Sequence, residues 1–312
     1  MSRPFESEVR QDFERARTRA FFGDVRAIIA RKARDLIPYH EVRQRVSPEG
    51  ESYRGVQTVP LANIVGSMDR FHDFNRAFFP RQRFTAGRWQ NVDRAYYQDV
   101  YLPPIQLYKV GDVYFVKDGN HRVSVARERG QEYIDAEVIE GHIRAPFYAE
   151  MEPGEMLLQA EYAEFLRRSN LDHLKPDHDI RPSALGRYDE IWEHITGHRD
   201  WLAAIRHEPV TDQEAVADWY DNIYCPIVEV AREQGLSDRF PNHTEADIYL
   251  WVMRHRWEIE RDLGHDVGPV SAAEDYAENV QPPGPVDVVA DALRNLRSLP
   301  DRILNRNDQA GG

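Results

Sequence analysis

Cysteine is almost missing from this chain: Cys225 stands alone in 312 residues. A single thiol excludes an internal disulfide framework and a cysteine-based zinc cluster, and it suits a reducing compartment. Long apolar runs are missing as well. No stretch approaches the roughly 20 residues of a membrane span, and Met1 to Phe22 carries too many charges for a signal peptide. The expectation is a cytoplasmic protein without a membrane partner. Positive charge is scarce in the second half. Residues 1 to 150 hold 24 Lys and Arg against 21 Asp and Glu, a net of +3, whereas residues 151 to 312 hold 16 against 32, a net of −16. Affinity for duplex DNA comes largely from neutralising phosphates, so charge does not support DNA as a partner of that half. No helix-turn-helix pattern or internal repeat is evident. His194 and His198 are four apart and could share a helix face for a metal. Gly197 weakens that helix and no HExxH pattern is present, so surface or capping histidines are expected and no metal is assigned.

The stretch that points to chemistry is Val113 to Glu140. Val113, Tyr114, Phe115 and Val116 form a β-branched and aromatic run, the pattern of a buried strand. Asp118-Gly119-Asn120 is turn chemistry, since glycine permits positive φ and Asp and Asn bond to nearby backbone. From His121 the spacing of Val123, Ala126 and Arg127 predicts a short helix, stopped by Gly130. Tyr133 to Ile139 alternates as a half-exposed strand does. A helix start presents unpaired N–H groups and a partial positive charge, a site for phosphate or carboxylate. Gly119 permits close approach, while His121 and Arg122 add donors. The competing reading is an ordinary turn, with Asp118 capping the helix and Arg122 paired to a surface carboxylate.

Asp118-Gly119-Asn120-His121-Arg122, followed by Ser124 and Ala126-Arg127 and preceded by Leu102-Pro103-Pro104-Ile105, resembles the nucleotide-binding core of the ParB/sulfiredoxin superfamily. Gly119 and Arg122 match the ends of its Gly-x-x-Arg turn. His121 matches the His of sulfiredoxins and of the superfamily's free-serine kinases, and Asp118 matches the Asp before the Gly in those kinases. Asn120 departs, because sulfiredoxins carry their reactive Cys there, and the resemblance therefore does not imply sulfiredoxin activity. It covers about residues 56 to 140. It implies a nucleotide (CTP, ATP or ADP, with Mg²⁺) whose phosphates meet Gly119, Asn120, His121, Arg122 and Ser124, with Asp118 and His121 as catalytic candidates.

The expected fold class is α+β: a small mixed-sheet domain of that kind over residues 51 to 150, an N-terminal helical extension over 1 to 50, an all-α domain over 151 to 280, and a tail over 281 to 312. The extension reads as one or two amphipathic helices, with Gly23-Asp24 as a dividing point. Gly55 to Val65 reads as the first strand, with Pro60 compatible with a sheet edge. Phe71 to Tyr97 interleaves arginines with aromatics, a combination that can contact phosphates and stack on bases. Arg88 and Trp89 are its candidates for base or partner contacts, against a reading in which the aromatics pack on the core and the arginines stay solvated. If functional, this segment folds over the Asp118 turn.

In the second half, Thr211-x-x-Glu214 and Ser271-x-x-Glu274 read as capping boxes, Thr244 as an N-cap, and Gly235 and Gly264 as helix stops. Pro226 predicts a kink or a new helix start. Trp192, Trp201, Trp219, Tyr220, Tyr224, Trp251 and Trp257 read as an aromatic core. Residues 165 to 280 resemble an uncharacterised helical domain that accompanies ParB-like domains in bacteria, which brings no activity with it; a groove for a protein partner is the separate expectation for this domain. The tail includes one amphipathic stretch, Val286 to Leu299.

Three functions compete. One is regulatory or partition-like nucleotide binding, coupled to a protein partner by the helical domain. Another is small-molecule phosphotransfer, with Glu49 or Glu51 near the place of the kinases' upstream carboxylate. The third is a ParB-like DNA-binding regulator.

Overall fold

A computed structural model describes residues 5–30 and 34–279. The expected helix from Val286 to Leu299 lies outside the described residues. The chain divides into two compact units between Glu164 and Phe165.

The first unit contains helices α1 (Glu6–Ile29), α2 (Tyr39–Arg45), α3 (Ala86–Tyr97) and α4 (Asn120–Glu128). Its strands are β1 (Ile37–Pro38), β2 (Glu51–Pro60), β3 (Ile64–Ser67), β4 (Ile105–Val110), β5 (Val113–Asp118) and β6 (Tyr133–Gly141). They form one mixed six-stranded sheet in the order β1-β3-β5-β4-β6-β2. β5 lies between parallel β3 and antiparallel β4, and Val113 to Val116 are all buried, which is why that stretch is apolar without alternation. Across the sheet, Val59, Leu61, Ile64, Ile105, Leu107, Val116, Ala136 and Val138 pack with Val123 and Ala126 of α4.

The expected first strand needs correction. The strand foreseen over Gly55 to Val65 is two strands: β2 ends at Pro60, a turn of 3₁₀ helix spans Leu61–Asn63, and β3 begins at Ile64. β2 is an edge strand paired only with β6, so the missing N–H of Pro60 breaks no ladder. Of the one or two helices expected at the N-terminus, the structure shows one, α1, undivided at Gly23-Asp24. The Asp24 carboxylate instead accepts from Arg81 Nε and Nη2 at 2.8 and 2.9 Å.

Helix α5 (Pro153–Ser169) carries the division between the units. The second unit continues with α6 (Leu171–Leu174), α7 (Arg187–Arg206), α8 (Asp212–Trp219), α9 (Cys225–Glu233), α10 (Leu236–Arg239), α11 (Glu245–Leu263) and α12 (Pro269–Asn279). A π turn, Tyr220–Tyr224, joins α8 to α9. It stands where Pro226 would clash with the carbonyl four residues back in an unbroken α-helix. Thr211 and Thr244 each form a capping box, with Glu214 and Asp247. Ser271 does not, because α12 has already begun at Pro269, a residue suited to a first helical position. The aromatic core is Trp219, Tyr224 and Tyr249, in which Trp219 Nε1 donates to the Tyr249 hydroxyl at 2.8 Å. Trp201 and Trp257, expected in that core, are 56% and 60% exposed.

Candidate functional site at the start of helix α4

Gly119 is the N-cap of α4 with φ 111°, and a Cβ there would collide with the side chain of Ile105. Only glycine combines that left-handed backbone with so close an approach. Val123 N donates the first bond of the turn to Gly119 O at 3.0 Å, which leaves the N–H groups of Asn120, His121 and Arg122 without a helical acceptor. The positive end of the helix lies where those groups point.

His121 is half-buried, with its ring edge-on to Phe74 at 5.3 Å. Burial, reinforced by Arg70 and Arg88, pushes its pKa down to about 4, against the pull of Asp73, and the ring is neutral at pH 7. Both ring nitrogens are buried and lack a hydrogen-bond partner. So does Oδ1 of Asn120, a residue only 7% exposed. An unsatisfied buried polar atom costs about 1–3 kcal/mol, and three of them share one helical turn. Arg88 is exposed and makes no side-chain hydrogen bond or ion pair among the described residues. Arg70 pairs with Asp73 at 3.3 Å. Arg70 and, from the Phe71 to Tyr97 segment, Asp73, Phe74 and Arg88 lie around His121.

His121 and Arg122 were expected to act together, and the structure separates them. Consecutive helical residues diverge by about 100°, so they face different surroundings. Arg122 Nη1 donates to the carbonyls of Pro103 and Pro104 at 2.5 and 3.1 Å, and Nη2 donates to Asp118 at 2.5 Å. The guanidinium ties the Pro103-Pro104 segment to the helix start and lines a cavity of about 240 Å³ with Tyr96, Tyr101 and Tyr133. The Asp118 side chain is 69% exposed and pairs with Arg122 instead of capping α4.

Ser124 and Trp89 are corrected outright as ligand contacts. Both are fully buried, and Trp89 Nε1 donates to Ser124 Oγ. Trp89 faces inward because α3 packs it against Phe13, Ala16 and Val125. Most other arginines of the segment are structural rather than solvated. Arg76 donates to Val65 O and Met151 O at 3.0 Å each, Arg81 holds Asp24 and Asp35, and Arg94 pairs with Glu6.

Glu49 and Glu51 stand at the wrong end of the sheet for phosphotransfer at Asp118. Glu51 is level with Gly141, Val110 and Val113, five residues before Asp118 on β5, on the order of 16 Å along the strand. Glu49 is bound to Arg144 at 2.6 Å. Among the described residues no group of three or more His, Cys, Asp or Glu could hold a metal. His194 Nδ1 meets the Tyr249 hydroxyl at 3.0 Å and His198 Nε2 meets Asp218 at 2.6 Å. No helix is long and apolar enough to cross a membrane among the described residues.

Reading the sequence alone did not place Asp73 and Phe74 beside His121. Their only signal was membership of the arginine and aromatic segment.

No protein-family description matches the chain, and no curated protein matches it. Among solved structures, sulfiredoxin from Arabidopsis thaliana is similar over 28% of this chain and 86% of that chain, at 17% identity and a TM-score of 0.22. At that TM-score the likeness carries no argument about what the chain does.

Proposed function

We propose that the first unit holds the phosphates of a nucleotide at the start of α4, as a regulatory ligand in the manner of ParB-like proteins. The observation that carries this reading is the unpartnered, buried ring of His121 beside three backbone N–H groups without a helical acceptor and the unpaired Arg88. Neutral His121 can donate one hydrogen bond to a phosphate oxygen. The helix dipole, Arg70 and Arg88 supply the compensating charge. Asp118, exposed beside the turn and paired with Arg122, would be the carboxylate to meet a Mg²⁺ carried by the phosphates. Regulation is favoured over phosphotransfer because Glu49 and Glu51 lie far from this turn.

The test is thermal unfolding of the full chain with CTP, ATP, ADP or no ligand, each with and without Mg²⁺. A bound nucleotide at about 100 times its Kd stabilises the native state by about 2.7 kcal/mol. One nucleotide shifts the wild type, and Arg88→Ala weakens its binding by about tenfold or more. No shift with any nucleotide, or full affinity in Arg88→Ala, overturns the reading. Phosphate release that depends on a hydroxylated small molecule would replace regulation with phosphotransfer.

A further inference from the structure

The second unit contains a cavity of about 580 Å³ between α7 and α11, floored by Trp219 and by Ile223 of the π turn. That volume lies within the range of small-molecule sites, and π turns within helical segments are frequent at functional sites.

Its walls are aromatic. Trp201 stacks on His198 with centroids 5.4 Å apart and planes at 21°, which covers one ring face and leaves the other. Trp257 already carries a cation, with the Arg261 guanidinium 5.4 Å from its ring centroid. Both tryptophans are more than half exposed, unlike buried Trp219 and Tyr249 of the same unit.

The charges lining the cavity do not balance. Glu190 is held by Arg187 at 2.9 Å and by Arg254 at 3.5 Å, and Arg256 binds Asp266 at 2.5 and 2.8 Å, whereas exposed Glu260 has no side-chain partner among the described residues. His194 and His198 are engaged with Tyr249 and Asp218. One carboxylate is left over beside two tryptophan rings, a combination that favours a cation with an aromatic or alkylammonium surface.

Gly197 belongs to the same wall. It lies inside α7, where glycine is a poor helix former, and a Cβ built on it meets nothing within 4 Å. Gly197 lines the cavity, and a side chain at that position has open space around it.

We propose that this cavity binds an organic cation bearing a planar aromatic ring, with the ring against Trp201 and Trp257 and the ammonium at Glu260. The probes are tryptamine, its neutral analogue tryptophol and the anion indole-3-acetate, titrated calorimetrically into the full chain. Tryptamine is expected to bind at least about tenfold more tightly than tryptophol, and indole-3-acetate more weakly than either. Glu260→Gln brings tryptamine down to the affinity of tryptophol, and Gly197→Leu abolishes binding of all three while the melting temperature is kept. Absence of tryptamine binding, equal affinity for the three probes, or unchanged binding in Gly197→Leu overturns the proposal. Should Gly197→Leu fail to fold, Glu260→Gln decides: tryptamine affinity unchanged in that variant overturns the assignment.

Discussion

Trp89 Nε1 donates a hydrogen bond to Ser124 Oγ at 2.9 Å, and neither side chain is exposed. This bond fixes α3 against α4 one helical turn from His121, so the wall that carries Arg88 is held in place by the core and not by a ligand. Trp89→Phe keeps most of the apolar burial but removes the donor. It is expected to lower the stability of the first unit by about 1–3 kcal/mol in urea unfolding, since Ser124 is left unsatisfied and the smaller ring leaves space. Intact stability would show that the bond is not formed.

Gly119→Ala tests the close approach at the head of α4. Alanine there carries both the strain of φ 111° and a collision with Ile105, against which the whole β5–α4 junction has to move. Strain at such a backbone position costs about 1–3 kcal/mol. The variant is expected to melt at a lower temperature and to bind phosphates more weakly, and wild-type behaviour in both would remove glycine from the argument.

His121 gives the first unit a pH dependence of defined sign. Between pH 6.5 and about 4 the unfolded chain binds a proton on this residue that the native ring refuses, so native stability falls as pH falls through that window. The loss approaches about 3 kcal/mol at the acid end. His121→Gln should flatten that part of the profile. A phosphate beside the ring raises its pKa, so nucleotide affinity is expected to rise as the pH is lowered from 7 to about 5.5, and a pH-independent affinity would place the phosphates elsewhere.

The two capping sequences of the second unit should respond differently. Asp247 is 2% exposed, completes the Thr244 box and also accepts from Ser183 N at 3.1 Å, so Asp247→Ala is expected to cost about 2 kcal/mol. Ser271→Ala, inside α12, should change stability by no more than about 0.5 kcal/mol. Equal effects in thermal unfolding would contradict the helix start at Pro269.

Much of this architecture was legible in the chain alone because its signals are local. The apolar run of β5, the turn at Asp118-Gly119-Asn120, the length of α4 with its stop at Gly130, and the alternation of β6 each depend on neighbours within a few residues. The same holds for the Thr211 and Thr244 caps and for the break before Pro226. The sequence by itself therefore determined an α+β unit followed by helices, and it singled out the head of α4 as the place to look. Tertiary structure decided which side chains meet there. Trp89 and Ser124 are 35 residues apart and satisfy each other in the core, while Arg122 turns away from His121 to the carbonyls of Pro103 and Pro104. Glu51 ends up on the far end of the sheet because strand register, set by pairing across β6 and β4, carries it there. Periodicity records whether a residue faces inward, but the identity of its partner depends on helix rotation and strand register, which only the packed chain sets.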